Sequence, residues 1–192
     1  SLVLAISYIK QTLLGISMKY ICMNCEKEYM PAPLLIRCDC GAALWVKPEK
    51  SFSKADLITD DFTMWRYAKA YPLDKEYIEI TFNETITPLA SAKIGHVNIL
   101  VKMDSLMPTG SFKDRGAAMV VNYLNAQGIR SISEDSSGNG GSAYAGYAAK
   151  GNFDCNIFVP AGTYLAKRFK LEYMALAALR LKAPEKMSPM RP

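Results

Sequence analysis

From Val97 onward, hydrophobic and polar positions change period in regular alternation. The run "VNILVKM" (97–103) is continuous and of strand length. In "KDRGAAMVVNYLNAQG" (113–128), Ala117, Val120, Val121 and Leu124 recur at helical spacing, and Gly128 marks a stop. "IRSISE" (129–134) reads as a second strand. "GGSAYAGYAAKG" (140–151) reads as a small-residue helix closed by Gly151. "CNIFVP" (155–160) is a third strand ended by Pro160, "YLAKRFKLEYMALAA" (164–178) a further helix, and "LRLK" (179–182) a fourth strand. Strand, helix, strand, helix at this spacing predicts an α/β fold on a parallel sheet with crossover connections.

The first part of the chain has another texture. Residues 18–50 form a short module whose hydrophobic residues, Leu34 to Ile36 and Leu44 to Val46, would cover a cluster of cysteines. "KPEKSFSKADLITDD" (47–61) reads as a polar linker. "FTMWRYAKAYPL" (62–73) gathers Trp65, Tyr67 and Tyr71 and reads as a short packing helix ending at Pro72. The organisation expected is an extension at 1–17, a cysteine module at 18–50 and a partial α/β domain at 51–192.

Composition narrows the class. Of the 192 residues, 50% are hydrophobic, enough for one ordinary core. No apolar stretch is long enough to cross a bilayer, and "SLVLAISYIKQTLLGIS" lacks the basic leader of a secretory signal. The net charge of +5 comes from the end of the chain: residues 164–192 hold 7 basic and 2 acidic residues, and residues 1–163 hold 16 of each. A local basic tail is not a nucleic-acid-binding face. The single histidine, His96 in "KIGHVN", reads as an exposed loop residue, which leaves out histidine-ligated metal centres and a Ser-His-Asp triad. Five cysteines without an export signal suit a reducing, cytoplasmic setting.

Four of those cysteines fall as Cys22-x2-Cys25 and Cys38-x-Cys40-Gly41. Two such turns can aim four thiolates at one tetrahedral zinc, whose role would be structural because no coordination position stays open. Free thiols are the alternative reading of the same spacing. Cys155, inside "CNIFVP", reads as a buried small residue.

Two loops at strand-to-helix junctions carry candidate chemistry, since ligands of parallel sheets sit at such ends. In "MPTGSFKDRG" (107–116), Ser111 is placed to cap a helix, with Asp114 completing an approximate capping box. Lys113 then falls in the first turn, where the helix dipole and partial burial beside Phe112 would favour the free amine over ammonium. A neutral amine can condense with a carbonyl. On this segment alone, a lysine snorkelling outward from an ordinary helix start is the reading to prefer. In "EDSSGNGGS" (134–142), three glycines let backbone N–H groups approach an anion at a helix start, and Asn139 adds a neutral hydrogen-bonding group. The spacing matches neither the dinucleotide fingerprint nor a Walker A loop, and a flexible capped turn is the competing reading.

Taken together, "PTGSFKDRG", "DSSGNGG" and "FVPAGT" resemble the pyridoxal-phosphate enzymes of the tryptophan synthase β fold type. "WRYAKAYPL", "TPLASA" and the cysteine knuckles make the chain most similar to the N-terminal portion of threonine synthases, over about Met18 to Thr163. The resemblance implies that Lys113 holds pyridoxal phosphate covalently and shuttles protons, that Phe112 lies beside the cofactor ring, and that Asn139 hydrogen-bonds the ring hydroxyl. Ser136, Ser137 and Gly138 would receive the substrate carboxylate. It also implies conversion of O-phosphohomoserine to threonine and phosphate, a small amino acid substrate, and a homodimer without nucleic-acid or membrane partners.

The chain departs from the pattern at Met107, where the family carries Asn, and after "FVPAGT". It shows no second glycine-rich loop after Gly151 for the cofactor phosphate, nor a hydroxyl partner for the pyridine nitrogen. The expectation is therefore a truncated enzyme, weak or inactive alone. The alternatives are a non-catalytic α/β fragment, another lyase of the same cofactor (threonine dehydratase or cysteine synthase type), and a zinc-ribbon nucleic-acid binder.

Overall fold

The structure, a computed structural model, describes residues 17–32, 35–136 and 138–179. Its chain divides into two compact units. One holds the described residues up to Glu79 together with Asn122–Gly128, and the other holds Ile80–Val121 and the described residues from Ile129 on.

In the first unit, β1 (Met18–Cys22), β2 (Glu28–Tyr29) and β3 (Leu44–Pro48) form an antiparallel sheet in the order β2-β1-β3. Tyr20 pairs with Tyr29 on one side and Val46 on the other. The hydrophobic cover expected from the sequence is built only in part, with Leu35 and Leu44 half-buried. Ile36 is 78% exposed and Trp45 60% exposed, Val46 is also exposed, and Leu34 lies outside the described residues. Burial falls instead on Met18, Cys22 and Cys38, because β3 turns most of its length to solvent.

The stretch read as a linker has structure of its own. A 3-10 turn at Lys54–Asp56 is closed by Asp56, which accepts from Ser53 N–H and O–H, each at 2.8 Å. The packing helix expected at 62–73 is a 3-10 segment, Met64–Ala70, burying Met64, Trp65 and Ala68. Trp65 meets the Tyr71 ring edge-on at 5.9 Å, and Tyr67 is exposed. Asn122 accepts from Glu79 N–H at 2.9 Å within this unit.

The second unit begins with a hairpin, β4 (Leu89–Ile94) and β5 (Val97–Lys102), turned at Gly95 and the exposed His96. The expectation for 97–103 is thus corrected: the strand exists, but its pairing is antiparallel. Its partner β4 escaped the sequence reading because "LASAKI" mixes small, polar and charged residues without a clear period. Helix α1 (Lys113–Ala126) follows, then β6 (Ser131–Glu134), α2 (Asn139–Gly151), β7 (Asp154–Ile157) and α3 (Leu165–Leu179).

Strands β6 and β7 pair in parallel, Ser131 with Asp154 through Glu134 with Ile157, around the crossover helix α2. Among the described residues this is the parallel part of the fold. The last turn of α2 runs through Gly151, the expected stop, and ends on Asn152, which takes the left-handed conformation. Leu179 closes α3, and the rest of the proposed fourth strand lies outside the described residues. Cys155 is half-buried, and burial pushes its thiol up to about 11. Among the described residues no helix is long and apolar enough to cross a membrane.

Helix α2 packs on α3 through small residues. A Cβ on Gly141 would lie 2.2 Å from the Ser136 carbonyl oxygen and 2.9 Å from Leu171 Cδ2. Gly116, exposed on α1, has nothing within 4 Å. Alanine should therefore act with opposite sign at the two sites. In urea titrations, G141A is expected to destabilise by about 1–3 kcal/mol, and G116A to stabilise by about 0.5–1 kcal/mol.

Candidate active site

The lysine loop is fixed from below by a buried acid. Asp114 has no exposed surface, and its carboxylate accepts from Thr109 N–H at 2.7 Å and from the Thr109 hydroxyl. The expected capping box is thus only half present. Ser111 Oγ accepts from Lys113 N–H at 3.3 Å, but Asp114 reaches back past Ser111 to Thr109. The cause is the turn at Gly110, whose N–H donates to Met107 C=O at 2.7 Å with φ +84° and folds Thr109 over the start of α1. Burial pushes the Asp114 carboxyl up, and the Thr109 hydrogen bonds pull it down.

A second buried acid stands beside it. Glu84 Oε1 accepts from Tyr147 O–H at 2.6 Å and Phe82 N–H at 2.9 Å, and Oε2 accepts from Thr81 O–H at 2.7 Å. Burial and then the Glu84 charge push the Tyr147 phenol upward, so that it keeps its proton and donates. Gly146, next to Tyr147 on α2, leaves room for the Thr109 methyl, which a Cβ would meet at 3.4 Å. Thr109, Asp114, Glu84 and Tyr147 thereby join the lysine loop to α2. No spacing in the sequence pointed to Glu84 or Tyr147, because their partners lie 63 residues apart.

Arg115 closes the loop from the other side. Its Nε donates to Asp104 Oδ2 at 3.1 Å and its Nη2 to Oδ1 at 2.9 Å. This is an ion pair with Asp104, upstream of the helix start. The Arg115 guanidinium holds the Asp104 carboxyl down at about 2.

Lys113 is exposed, where the sequence suggested partial burial. Helix α1 buries Asp114, Ala117, Ala118 and Val121, and Lys113 lies off that face. Its Nζ sits over the Phe112 ring, 4.8 Å from the centroid. The Lys113 charge is felt at Glu134, where β6 leads into the serine-rich loop. Burial and Asp135 raise the Glu134 carboxyl, and the Lys113 charge lowers it.

In the second loop, β6 ends at Glu134 and α2 begins at Asn139. Gly138 is the N-cap and offers no side chain to the first-turn N–H groups. Ser136 Oγ accepts from Gly138 N–H at 3.4 Å. A Cβ on Gly140 would lie 2.9 Å from that Oγ and 3.1 Å from Glu134 Oε1, so the glycine lets the loop fold onto the helix head. Ser137 lies outside the described residues. Asn139 is exposed, and its Oδ1 accepts from Lys170 Nζ at 2.9 Å. Lys170, on α3, was missed by sequence reasoning. Only the packing of α3 on α2 brings it here.

These residues suit a pyridoxal phosphate: an accessible amine on a tied-down loop, an aromatic ring beside it, an amide, and a glycine-fronted helix start for an anion.

The first unit carries a separate centre. The four Sγ atoms of Cys22, Cys25, Cys38 and Cys40 lie within 4.8 Å of one another. Cys22 and Cys40 are 3.6 Å apart, and Cys25 and Cys38 are 3.5 Å apart. Four sulfurs about 2.3 Å from one ion stand roughly 3.8 Å apart, so the donor set fits a tetrahedral metal. Backbone N–H groups of Asn24 and Cys25 point at Cys22 Sγ, each at 3.4 Å. The Tyr29 hydroxyl, 3.0 Å from Cys38 Sγ, pulls that thiol down to about 6.

Comparison with known proteins bears on the second unit above all. The family model of the pyridoxal-phosphate dependent enzymes matches residues 80–181. The chain is similar to threonine synthase of Methanosarcina acetivorans, 34% identical over 150 residues, which covers 73% of this chain and 36% of that protein. It is similar to threonine synthase of Methanocaldococcus jannaschii, 28% identical over 151 residues, covering 73% and 37%. The chain thus spans little more than a third of these relatives' length. A solved structure of O-ureido-L-serine synthase aligns with TM-score 0.42 and 28% identity, over 46% of this chain and 30% of that one.

The Asp104–Arg115 pair has a pH signature. A carboxyl at about 2 when folded, against an ordinary value of 3.8, stabilises the fold at pH above that ordinary value and loses its effect as pH falls toward 2. Denaturant midpoints of wild type and D104N should therefore differ at pH 6 and converge as pH approaches 2.

Proposed function

The chain belongs to the pyridoxal-phosphate dependent enzymes, and on that premise we propose that it carries the lysine-bearing part of a threonine synthase-like enzyme acting on O-phosphohomoserine. The observation that carries this reading is the convergence of two loops, one presenting Lys113 and the other the uncapped head of α2. It is supported by the similarity to two archaeal threonine synthases.

In this reading Lys113 Nζ holds the cofactor, and Phe112 lies against its ring. Asn139 hydrogen-bonds the ring oxygen, and Ser136, Ser137 and Gly138 receive the substrate carboxylate. Bound pyridoxal phosphate would supply the electron withdrawal that loosens bonds at the substrate's α and β carbons. The chain's own contribution is positional and protonic. Asp114 and Thr109 keep the lysine at the loop, the α2 head binds the carboxylate through N–H groups and dipole, and Lys113 Nζ takes up and returns protons. The 18–50 module is structural, with one zinc held by Cys22, Cys25, Cys38 and Cys40.

Incubation with pyridoxal phosphate, borohydride reduction and peptide mapping should place the label on Lys113 above every other lysine, and K113A should abolish it. Absence of a preferred label would favour a non-catalytic α/β fragment. With no second glycine-rich loop after Gly151, this chain alone should show little synthase turnover. Full turnover would overturn that expectation.

Metal analysis of purified protein should find about one zinc per chain. C38S should lose it and lower the unfolding temperature. A metal-free wild type in which the thiols of Cys22, Cys25, Cys38 and Cys40 all titrate would leave these cysteines without that role.

A further inference from the structure

Helix α3 contributes Lys170 to this site. Its neighbour Leu171 is buried, with Cδ2 2.9 Å from the position a Gly141 Cβ would occupy. That contact sets α3 against the head of α2 and delivers Lys170 to the same place. Its Nζ lies 2.9 Å from Asn139 Oδ1 and 3.9 Å from the position a Cβ would take at Gly110. Gly110, at φ +84°, offers no side chain to block that approach. The cation therefore touches the serine–glycine loop and borders the lysine loop at once. Its charge reaches Asp114, one residue from Lys113.

Chemistry restricts what this contact can mean. An ammonium group has three donors and no acceptor. The Asn139 atom facing it must then be the carbonyl oxygen, whichever way the amide would otherwise turn. The Nδ2 group is left on the opposite side as a donor only.

We propose that Lys170 is a positioning residue, which locks the Asn139 amide so that Nδ2 presents its hydrogens to the cofactor ring and selects an oxygen acceptor there. The inference rests on the reading of Asn139 as a ring-binding residue and adds how its orientation is chosen. Asn139 on its own could offer either end of its amide. With Lys170 beside it, only the donor end is free.

A double-mutant cycle tests this on the full chain, with affinity for pyridoxal phosphate measured by equilibrium dialysis and visible absorption. K170M should weaken binding about tenfold, the order expected for misdirecting one hydrogen bond to a charged acceptor. K170R, which also only donates, should restore it. In an N139A background, K170M should have no further effect, because the amide through which it acts is gone. Unchanged affinity in K170M, or an equal loss in both backgrounds, would overturn the proposal, the latter by showing an independent anion contact. A nuclear magnetic resonance readout needs no cofactor. The side-chain amide signal of the 15N-labelled chain that disappears in N139A should shift in K170M and stay in place in K170R. An unmoved signal in K170M would mean the contact is not made. If wild type fails to label at Lys113 while the amide signal responds as expected, the cofactor reading falls and the proposal falls with it. If Lys113 labels but the cycle is additive, the proposal alone is lost.

Discussion

A carboxylate with no exposed surface has to find its hydrogen bonds inside the protein, and the second unit is organised around two of them. Glu84 and Asp114 are both fully buried, and an ionised acid left unpaired in such a place would be strongly destabilising. Glu84 is satisfied by Thr81, Phe82 and Tyr147. Asp114 is satisfied by both donors of Thr109. Each requirement fixes a turn. The first holds residues 81–84 against α2, and the second closes residues 109–114 ahead of α1. The reactive-looking surface of the site is then presented by loops whose conformation is decided underneath it.

This separation explains why Lys113 can be exposed and still be placed. A lysine has four rotatable side-chain bonds and little reason to occupy one position on its own. The residue after it is a buried anchor, and the residue before it gives the ammonium an aromatic face at 4.8 Å. A similar division operates at the second loop. Gly141 and Gly140 allow the chain after β6 to fold directly onto the helix head, where any side chain would strike Ser136.

Much of the unit's order was legible in the sequence, because it depends on local patterns. The helices at 113–126 and 139–151 follow from the spacing of apolar and small residues, and the strands at 131–134 and 154–157 from short runs bounded by turns. Lys113, Asn139 and the cysteine quartet stood out because the pattern that points to them is carried by their neighbours in sequence. What stayed hidden depends on tertiary placement. The pairing direction of β5 could not be read, since an apolar run looks alike in a parallel sheet and in an exposed hairpin. Asp114 looked like a capping residue because its true partner, Thr109, is reached only through the Gly110 turn. Glu84, Tyr147 and Lys170 carry no motif, and each acquires its role from a residue far along the chain.

The head of α2 gathers these arguments into one electrostatic balance. The helix start is a positive end, and Lys170 stands beside it on the Asn139 oxygen. Two like-signed features are not stable neighbours unless something negative is near. Glu134 supplies part of that charge, with Oε1 next to Gly140, but burial and Asp135 both work against its ionisation. Asp135 and Lys113 add one charge of each sign nearby, and Gly138 leaves open space at the helix head. A neutral amide is the appropriate side chain at the first helical position there. An acid at residue 139 would pair with Lys170 and offset the helix dipole, and a base would repel Lys170. Asparagine leaves the field intact for an incoming anion while still offering a directed hydrogen-bond donor.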